Sequence, residues 1–159
     1  MLTCIPKNFC TWDYRVLGAS AGSAVLAFNF FTEQGSISLG STEFTVRKHG
    51  AFSGNWSLEH NGQTEADAQK PSALFRSFDI RIQDITLTLK AQSAFTRSYD
   101  IFLGQQSVGV IRPAHAFTRR AFIECNSDIP ELAQLFSFWL VAITWRRAAN
   151  NNAAHTTLP

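Results

Sequence analysis

The sequence of 159 residues has little charge of either sign. Charged residues make up 16% of it, below the ~25% of an ordinary soluble protein. Fourteen basic residues oppose 12 acidic ones, so the net charge is only +2. This excludes the dense basic field of a typical nucleic-acid-binding domain, and we expect no nucleic-acid partner. The 45% of hydrophobic residues, with 14 phenylalanines, suffices for the core of one domain and excludes wholesale disorder.

Cysteine and histidine are also scarce and widely spaced. The three cysteines are odd in number and show no CxxC spacing, which excludes a disulfide framework or a zinc site of the usual pattern. The four histidines show neither HxxxH nor HxH spacing, so we expect no metal and no cofactor. The start of the sequence lacks a basic segment followed by an apolar one, as a secretory signal has. We therefore expect a cytoplasmic protein, and leave peripheral association with a membrane open.

Several short segments of the sequence have an apolar residue at every second position, which is the pattern of half-buried strands. One face of each strand is apolar and the other polar, as in an antiparallel sheet wetted on one side. The apolar sets are Trp12, Tyr14 and Val16; Phe44 and Val46; Phe78, Ile80 and Ile82; Ile85, Leu87 and Leu89; Tyr99, Ile101 and Leu103; and Ala121, Ile123 and Cys125. The polar stretch Asn61–Lys70 is interpreted as the longest loop, dividing the strands into two groups.

The C-terminal segment has a different pattern. Asp128, Pro130 and Glu131 are typical of a helix start, and the apolar run Leu132 to Trp145 follows them. Its apolar side chains surround the helix axis and form no stripe, so the helix is buried on all sides or lies in lipid. The predicted core residues of this helix are Leu135, Phe136, Phe138, Trp139, Leu140, Ile143 and Trp145.

The length of this run decides between a core helix and a membrane anchor. Fourteen residues span about 21 Å at ~1.5 Å per residue, whereas the hydrocarbon of a bilayer is ~30 Å thick. A buried helix is therefore favoured, and a membrane anchor at 132–145 is the alternative. A closed antiparallel barrel of about 10 to 12 strands would surround such a helix on every side.

The predicted organisation is a mainly β chain with one long helix. We expect an N-terminal arm over residues 1–11 and a barrel over 12–148, with its central helix at 129–147. Residues 149–159 are small and polar, and we expect a disordered tail there.

The order of these elements resembles the tubby-like superfamily, which includes tubby C-terminal domains, LURP-one-related proteins and phospholipid scramblases. The segments that carry the resemblance are FTVRKHGAFSGNWSLEHNG, SYDIFLGQQSVGVI and DIPELAQLFSFWLVAITWRR. The resemblance implies a barrel of about twelve strands threaded by the C-terminal helix. It also implies a non-catalytic binding or scaffold module that recognises phospholipid or phosphoinositide head groups or a membrane-associated protein. The sequence departs from the family in lacking a clustered Lys/Arg motif, a run of cysteines and an acidic calcium loop.

Basic residues on the predicted strands suggest one candidate site. If neighbouring strands align them, five arginines would form a patch for lipid phosphates. They are Arg76, Arg81, Arg112, Arg119 and Arg120. The alternative is a solvated strand face with cross-strand pairs to Asp79, Asp100 and Glu124. We favour this alternative, because the net charge is only +2 and clustering of the arginines depends on a strand register that the sequence does not show.

A catalytic reading rests on Ser20 alone. Gly18 to Gly22 fits the G-x-S-x-G pattern of a hydrolase nucleophile elbow, which requires a preceding strand and a following helix. Residues 24–31 are predicted to form a strand instead, so we disfavour a serine hydrolase and expect a protein without enzymatic activity. We also expect a monomer.

Overall fold

Twelve strands precede a single helix along the chain. The structure, a computed structural model, describes residues 1–50, 52–72 and 75–156. The strands are β1 (Leu2–Pro6), β2 (Tyr14–Leu17), β3 (Ala24–Phe28), β4 (Gly35–Leu39), β5 (Thr42–Lys48), β6 (Asn55–His60), β7 (Gln63–Gln69), β8 (Ser77–Ile82), β9 (Ile85–Ala91), β10 (Tyr99–Leu103), β11 (Gln106–Pro113) and β12 (Ala121–Cys125). The helix is α1 (Glu131–Thr156).

The strands form one closed antiparallel barrel in which each strand pairs with its neighbours in sequence. The barrel closes between β1 and β12, where Leu2 pairs with Ile123 and Cys4 with Ala121. The predicted barrel of ten to twelve strands is confirmed. The predicted N-terminal arm over residues 1–11 is wrong in its first half, because Leu2 and Cys4 point inward and β1 is needed for closure. The strand was missed because it has only two inward-facing residues before Pro6.

A second difference concerns the stretch Asn61–Lys70, which is not a loop. Its residues form a two-residue turn and the strand β7, which pairs with both β6 and β8. The only buried side chains of β7 are Ala66 and Ala68, which leave room for the helix inside the barrel. Because alanine is a weak hydrophobic signal, the inward face of this strand was hidden among polar residues.

The helix lies inside the barrel, as predicted. All seven residues named from the sequence as its core are at most 3% exposed. The Trp139 ring stacks on Phe28 at 3.7 Å between centroids, and Phe138 meets the edge of Tyr14 at 4.9 Å. Gly35 makes room for this packing, since a Cβ atom there would lie 2.6 Å from the Trp139 ring.

The bounds of the helix differ from the expected 129–147. It begins at Glu131 and continues to Thr156, so most of the expected tail at 149–159 is helical, and residues 157–159 lie outside the described part. Alanines at 148, 149 and 153 favour the extension, and no glycine or proline interrupts it before Pro159. Within the described ranges, no helix has the combined length and apolar character that a membrane crossing needs.

The up-and-down strand order places alternate connections at opposite ends of the barrel. One end, here called the rim, carries the six connections that follow odd-numbered strands, and the helix emerges there. The rim loops are 7–13, 29–34, 49–54, 70–76, 92–98 and 114–120. The other end, here called the turn end, has mostly two-residue turns and the segment that leads into the helix.

Candidate functional site

The rim exposes a set of phenylalanines, here called the phenylalanine rim. Seven of the 14 phenylalanines are 68–104% exposed, and each of the six rim loops carries at least one. They are Phe9, Phe30, Phe31, Phe52, Phe75, Phe95 and Phe117. At the turn end the exposed large apolar side chains of the described residues are Met1, Leu17 and Leu103, with no phenylalanine. The barrel is therefore strongly asymmetric in its exposed aromatic surface.

Local side-chain contacts shape several rim loops. The Asn8 side-chain oxygen accepts hydrogen bonds from the backbone N–H groups of Cys10 and Thr11, at 2.9 and 2.7 Å. The Ser93 hydroxyl accepts in the same way from Phe95 and Thr96. Such turns satisfy backbone donors within the loop itself, so the loop can hold its shape without burying its phenylalanine.

Arginines then tie the loops to one another and to the helix. In each of four contacts, a guanidinium donates to two backbone carbonyls of another loop. The pairs are Arg76 with loop 92–98, Arg97 with loop 114–120, Arg119 with loop 7–13, and Arg146 of the helix with loop 29–34. We call these four contacts the arginine clamps. They give successive loops fixed positions around much of the rim.

The clamp of Arg97 shows how such a contact is built. Its guanidinium donates to the carbonyls of Ala116 at 3.1 Å and Thr118 at 2.7 Å. The same group lies 4.1 Å from the centre of the Trp145 ring, and the Trp145 indole N–H donates to the Arg97 carbonyl at 3.1 Å. Partial burial lowers the pKa of Arg97. The cation is therefore held between loop 114–120 and the Trp145 side chain of the helix.

A half-buried carboxylate, that of Glu33, completes the attachment of the helix. Glu33 accepts from Arg147 at 2.5 and 2.7 Å and forms an ion pair with Lys48 at 2.7 Å. Burial by itself would raise the pKa of Glu33, but hydrogen bonds from Arg147 and Lys48 outweigh it and lower the pKa. The loop 29–34 is thus linked to both the helix and strand β5.

The five arginines proposed as an anion patch do not share one surface. Arg81 and Arg112 lie on the outer wall in cross-strand ion pairs, at 2.7 Å to Asp67 and 2.6 Å to Glu124. Arg76 and Arg119 lie at the rim, where their guanidinium groups are engaged as clamps. Arg120 also lies at the rim and is exposed. Of the cross-strand partners considered from the sequence, Glu124 is paired with one of these arginines.

Positive charge is concentrated at the same end of the barrel as the exposed phenylalanines. The six rim loops and the helix beyond Thr144 carry eight basic and two acidic residues, a formal charge of +6. The rest of the chain carries six basic and ten acidic residues, a charge of −4, which together gives the net +2. The low net charge of the sequence therefore conceals a marked separation of charge between the rim and the remaining surface.

The surroundings of Ser20 do not resemble a nucleophile elbow. Ser20 lies in the connection between β2 and β3, so no helix follows it. Its hydroxyl donates to Glu131 at 2.8 Å, and its backbone N–H donates to the other oxygen of the same carboxylate at 2.7 Å. These contacts attach the first turn of the helix to the barrel. Across the described residues, no cluster of His, Cys, Asp and Glu could hold a metal ion.

Comparison with known proteins adds no assignment. No family model matches the chain, and neither a curated protein nor a solved structure matches it significantly. The resemblance to the tubby-like superfamily therefore stays a prediction, and the functional argument rests on the geometry of the rim.

The phenylalanine rim was missed in the sequence, although a signal for it exists. The tetrapeptide Ala-Phe-Thr-Arg occurs at 94–97 and again at 116–119, and every second connection contains a phenylalanine. Composition suggested a core role for these residues, whereas their recurrence in alternate connections points to one end of an up-and-down barrel.

Proposed function

We propose that this protein is a non-catalytic tubby-like barrel that binds peripherally to an anionic membrane surface through its phenylalanine rim. The observation that carries the proposal is the presence of exposed phenylalanine on each of the six loops at one end. The closed barrel around a central helix is the architecture that the family resemblance implies, and this supports the tubby-like part of the proposal.

The exposed aromatic surface has an energetic meaning. Full burial of one phenylalanine side chain contributes about 1.5–3 kcal/mol of favourable free energy. The seven exposed rings at one end would therefore contribute a large binding free energy if a partner surface removed them from water. Single exposed phenylalanines need no explanation, but seven of them gathered at one end of a barrel are a concentration of apolar surface that marks a binding site. Amphipathic surfaces with aromatic residues at their apolar face are suited to the boundary between head groups and acyl chains.

The arrangement of the rings favours a lipid surface over a protein pocket. Among the seven rim phenylalanines, the ring pair in contact within the described residues is Phe30 with Phe31, at 5.0 Å between centroids. The other rings stand on separate loops as individual wedges. A fluid bilayer accommodates several separate wedges at once, whereas a protein interface concentrates its aromatic anchors in a packed centre.

Charge supports the same orientation. Basic residues near an anionic leaflet contribute about 1 kcal/mol each, and the rim carries a formal charge of +6. The −4 of the remaining chain is repelled by the same surface, so the field of the protein turns the rim toward the membrane. Binding is therefore expected to weaken as salt concentration rises.

Co-sedimentation with lipid vesicles tests the proposal. Wild-type protein should pellet with vesicles that contain phosphatidylserine and pellet less with phosphatidylcholine vesicles. The double variant Phe95→Ala/Phe117→Ala should lose about 3 kcal/mol of binding free energy, at least about a 100-fold lower partition coefficient. A matched control, Leu17→Ala/Leu103→Ala, removes apolar surface at the turn end and should bind as wild type does.

Two results would contradict membrane binding. Wild-type protein that stays in the supernatant with every vesicle would refute it, as would a Phe95→Ala/Phe117→Ala variant that binds unchanged. If wild type instead forms concentration-dependent dimers that the same variant abolishes, the rim is an interface between two copies of the chain.

A further inference from the structure

Three of the clamp arginines have no negatively charged partner. Arg76, Arg97 and Arg119 are half-buried, and among the described residues none of them forms an ion pair. Arg147, by contrast, holds the Glu33 carboxylate, and arginines of the outer wall also pair with carboxylates. A half-buried cation without a counter-charge is unfavourable, because its partial removal from water is not offset by attraction to an anion.

A buried tyrosine close to two of these cations does not neutralise them. The Tyr14 side chain is fully buried, and Arg119 and Arg97 lie near enough to act on it electrostatically. Burial raises the pKa of the Tyr14 hydroxyl by more than the two cations lower it, so the hydroxyl stays uncharged. Within the described ranges this hydroxyl also has no hydrogen-bond partner. The positive charges of Arg97 and Arg119 therefore remain uncompensated.

The three arginines line one pocket. It has a volume of about 590 Å³ and lies between the C-terminal part of α1 and the rim loops 92–98 and 114–120. This volume falls within the ~300–1,000 Å³ that is usual for small-molecule sites. The lining residues that the structure describes include no Asp or Glu, and four of them are aromatic: Trp12, Phe95, Phe117 and Trp145.

Arg97 has the arrangement of donors that a carboxylate binds. Both of its hydrogen bonds to loop 114–120 use Nη1, so within the described part of the chain its Nε and Nη2 groups have no hydrogen-bond partner. The same two nitrogens of Arg147 bind the two oxygens of Glu33, at 2.5 and 2.7 Å. Two parallel donors of this kind match the two oxygens of a carboxylate in distance and direction. The Nε and Nη2 edge of Arg97 is therefore suited to a carboxylate from outside the chain.

We propose that this pocket binds a small aromatic carboxylic acid, with the carboxylate on the Nε and Nη2 groups of Arg97 and the ring among the four aromatic side chains. The cations of Arg76 and Arg119 favour an anion in the same pocket. A flat ring can make offset or edge-to-face contacts with Phe95 and Phe117, which contribute more than the buried area alone. The inference goes beyond membrane binding and does not depend on it.

Calorimetric titration without vesicles tests the inference with three probes: naphthoate, the uncharged naphthamide and the aliphatic decanoate. Wild-type protein should bind naphthoate about tenfold more tightly than naphthamide, because only the carboxylate forms charged hydrogen bonds. It should also bind naphthoate more tightly than decanoate. Arg97→Met should lose about tenfold in naphthoate affinity and bind naphthamide as wild type does, whereas an unfolded variant would bind neither.

A second pair of variants fills the pocket without changing a clamp. Ala149 is exposed and lines the pocket, so the indole of Ala149→Trp should block naphthoate. Asn151 is exposed on the same helix and is not part of the described lining, so Asn151→Trp is the matched control and should bind naphthoate as wild type does.

Any of four results would overturn the inference. They are no binding of naphthoate at millimolar concentration, equal affinity for naphthoate and naphthamide, decanoate binding as tight as that of naphthoate, and unchanged naphthoate affinity in Ala149→Trp. Because the titration contains no vesicles, these results leave the membrane proposal intact. A protein that binds naphthoate as expected but no vesicle would overturn membrane binding and support this pocket.

Discussion

Replacing Arg97 by methionine tests whether the arginine clamps stabilise the rim. Arg97→Met keeps most of the aliphatic stem but removes two hydrogen bonds to the carbonyls of Ala116 and Thr118 and the contact with the Trp145 ring. Each hydrogen bond contributes about 1 kcal/mol net, and the cation–ring contact about 0.5–1 kcal/mol. The loss should therefore be about 2–3 kcal/mol, a large part of the ~5–15 kcal/mol of a typical domain.

Urea denaturation measures this loss directly. Since the slope is typically about 1–3 kcal/mol per molar for small proteins, the midpoint of Arg97→Met should fall by about 1 M at an unchanged slope. Arg97→Lys keeps the charge without the planar guanidinium and should fall in between. The matched control Arg81→Met breaks an exposed ion pair with Asp67 and should leave the midpoint unchanged. Equal midpoints for Arg97→Met and wild type would refute the clamp interpretation.

Three further substitutions have defined outcomes. Gly35→Ala should lower the free energy of unfolding by about 3 kcal/mol in urea denaturation, since its Cβ would overlap the Ala27 carbonyl oxygen, and an unchanged value would contradict the packing. Because the pKa of Glu33 is lowered in the folded state, its contribution is present above pH 4.5, the ordinary value, and lost as pH falls through the folded value. Glu33→Gln should therefore flatten the decline of the urea midpoint in acid, and an equally steep decline would refute this. Tyr99→Phe removes two hydrogen bonds of a buried hydroxyl and should lower the thermal midpoint, with a loss of about 1–2 kcal/mol, and an unchanged midpoint would show the hydroxyl to be dispensable.

The barrel and its helix could be predicted because their signals are strong. The strand Ile85–Ala91 alternates clearly between apolar and polar residues, and the apolar run from Leu132 to Trp145 has no polar face. Strands β1 and β7 were not predicted, because their inward-facing residues are few in β1 and small in β7. Their identity depends on pairing with distant or adjacent strands, which no local pattern shows.

The candidate site was harder to predict than the fold. The five arginines were placed on strands from the sequence, but their partners depend on register, and the structure pairs Arg81 and Arg112 on the wall while Arg76 and Arg119 hold loops. The rim phenylalanines were counted toward the core, because an exposed phenylalanine cannot be told from a buried one by composition. Only the up-and-down order of the barrel places alternate loops at one end.

The most direct test of membrane binding asks which end of the barrel touches lipid. Two variants with one introduced cysteine each, Phe95→Cys at the rim and Asp84→Cys at the turn end, are made in a Cys10→Ser/Cys125→Ser background, which removes the exposed and the half-buried cysteine and keeps the buried Cys4. Each is labelled with an environment-sensitive fluorophore and mixed with phosphatidylserine vesicles. The proposal predicts a blue-shifted emission at position 95 and unchanged emission at position 84. A shift at position 84 with none at position 95 would contradict it.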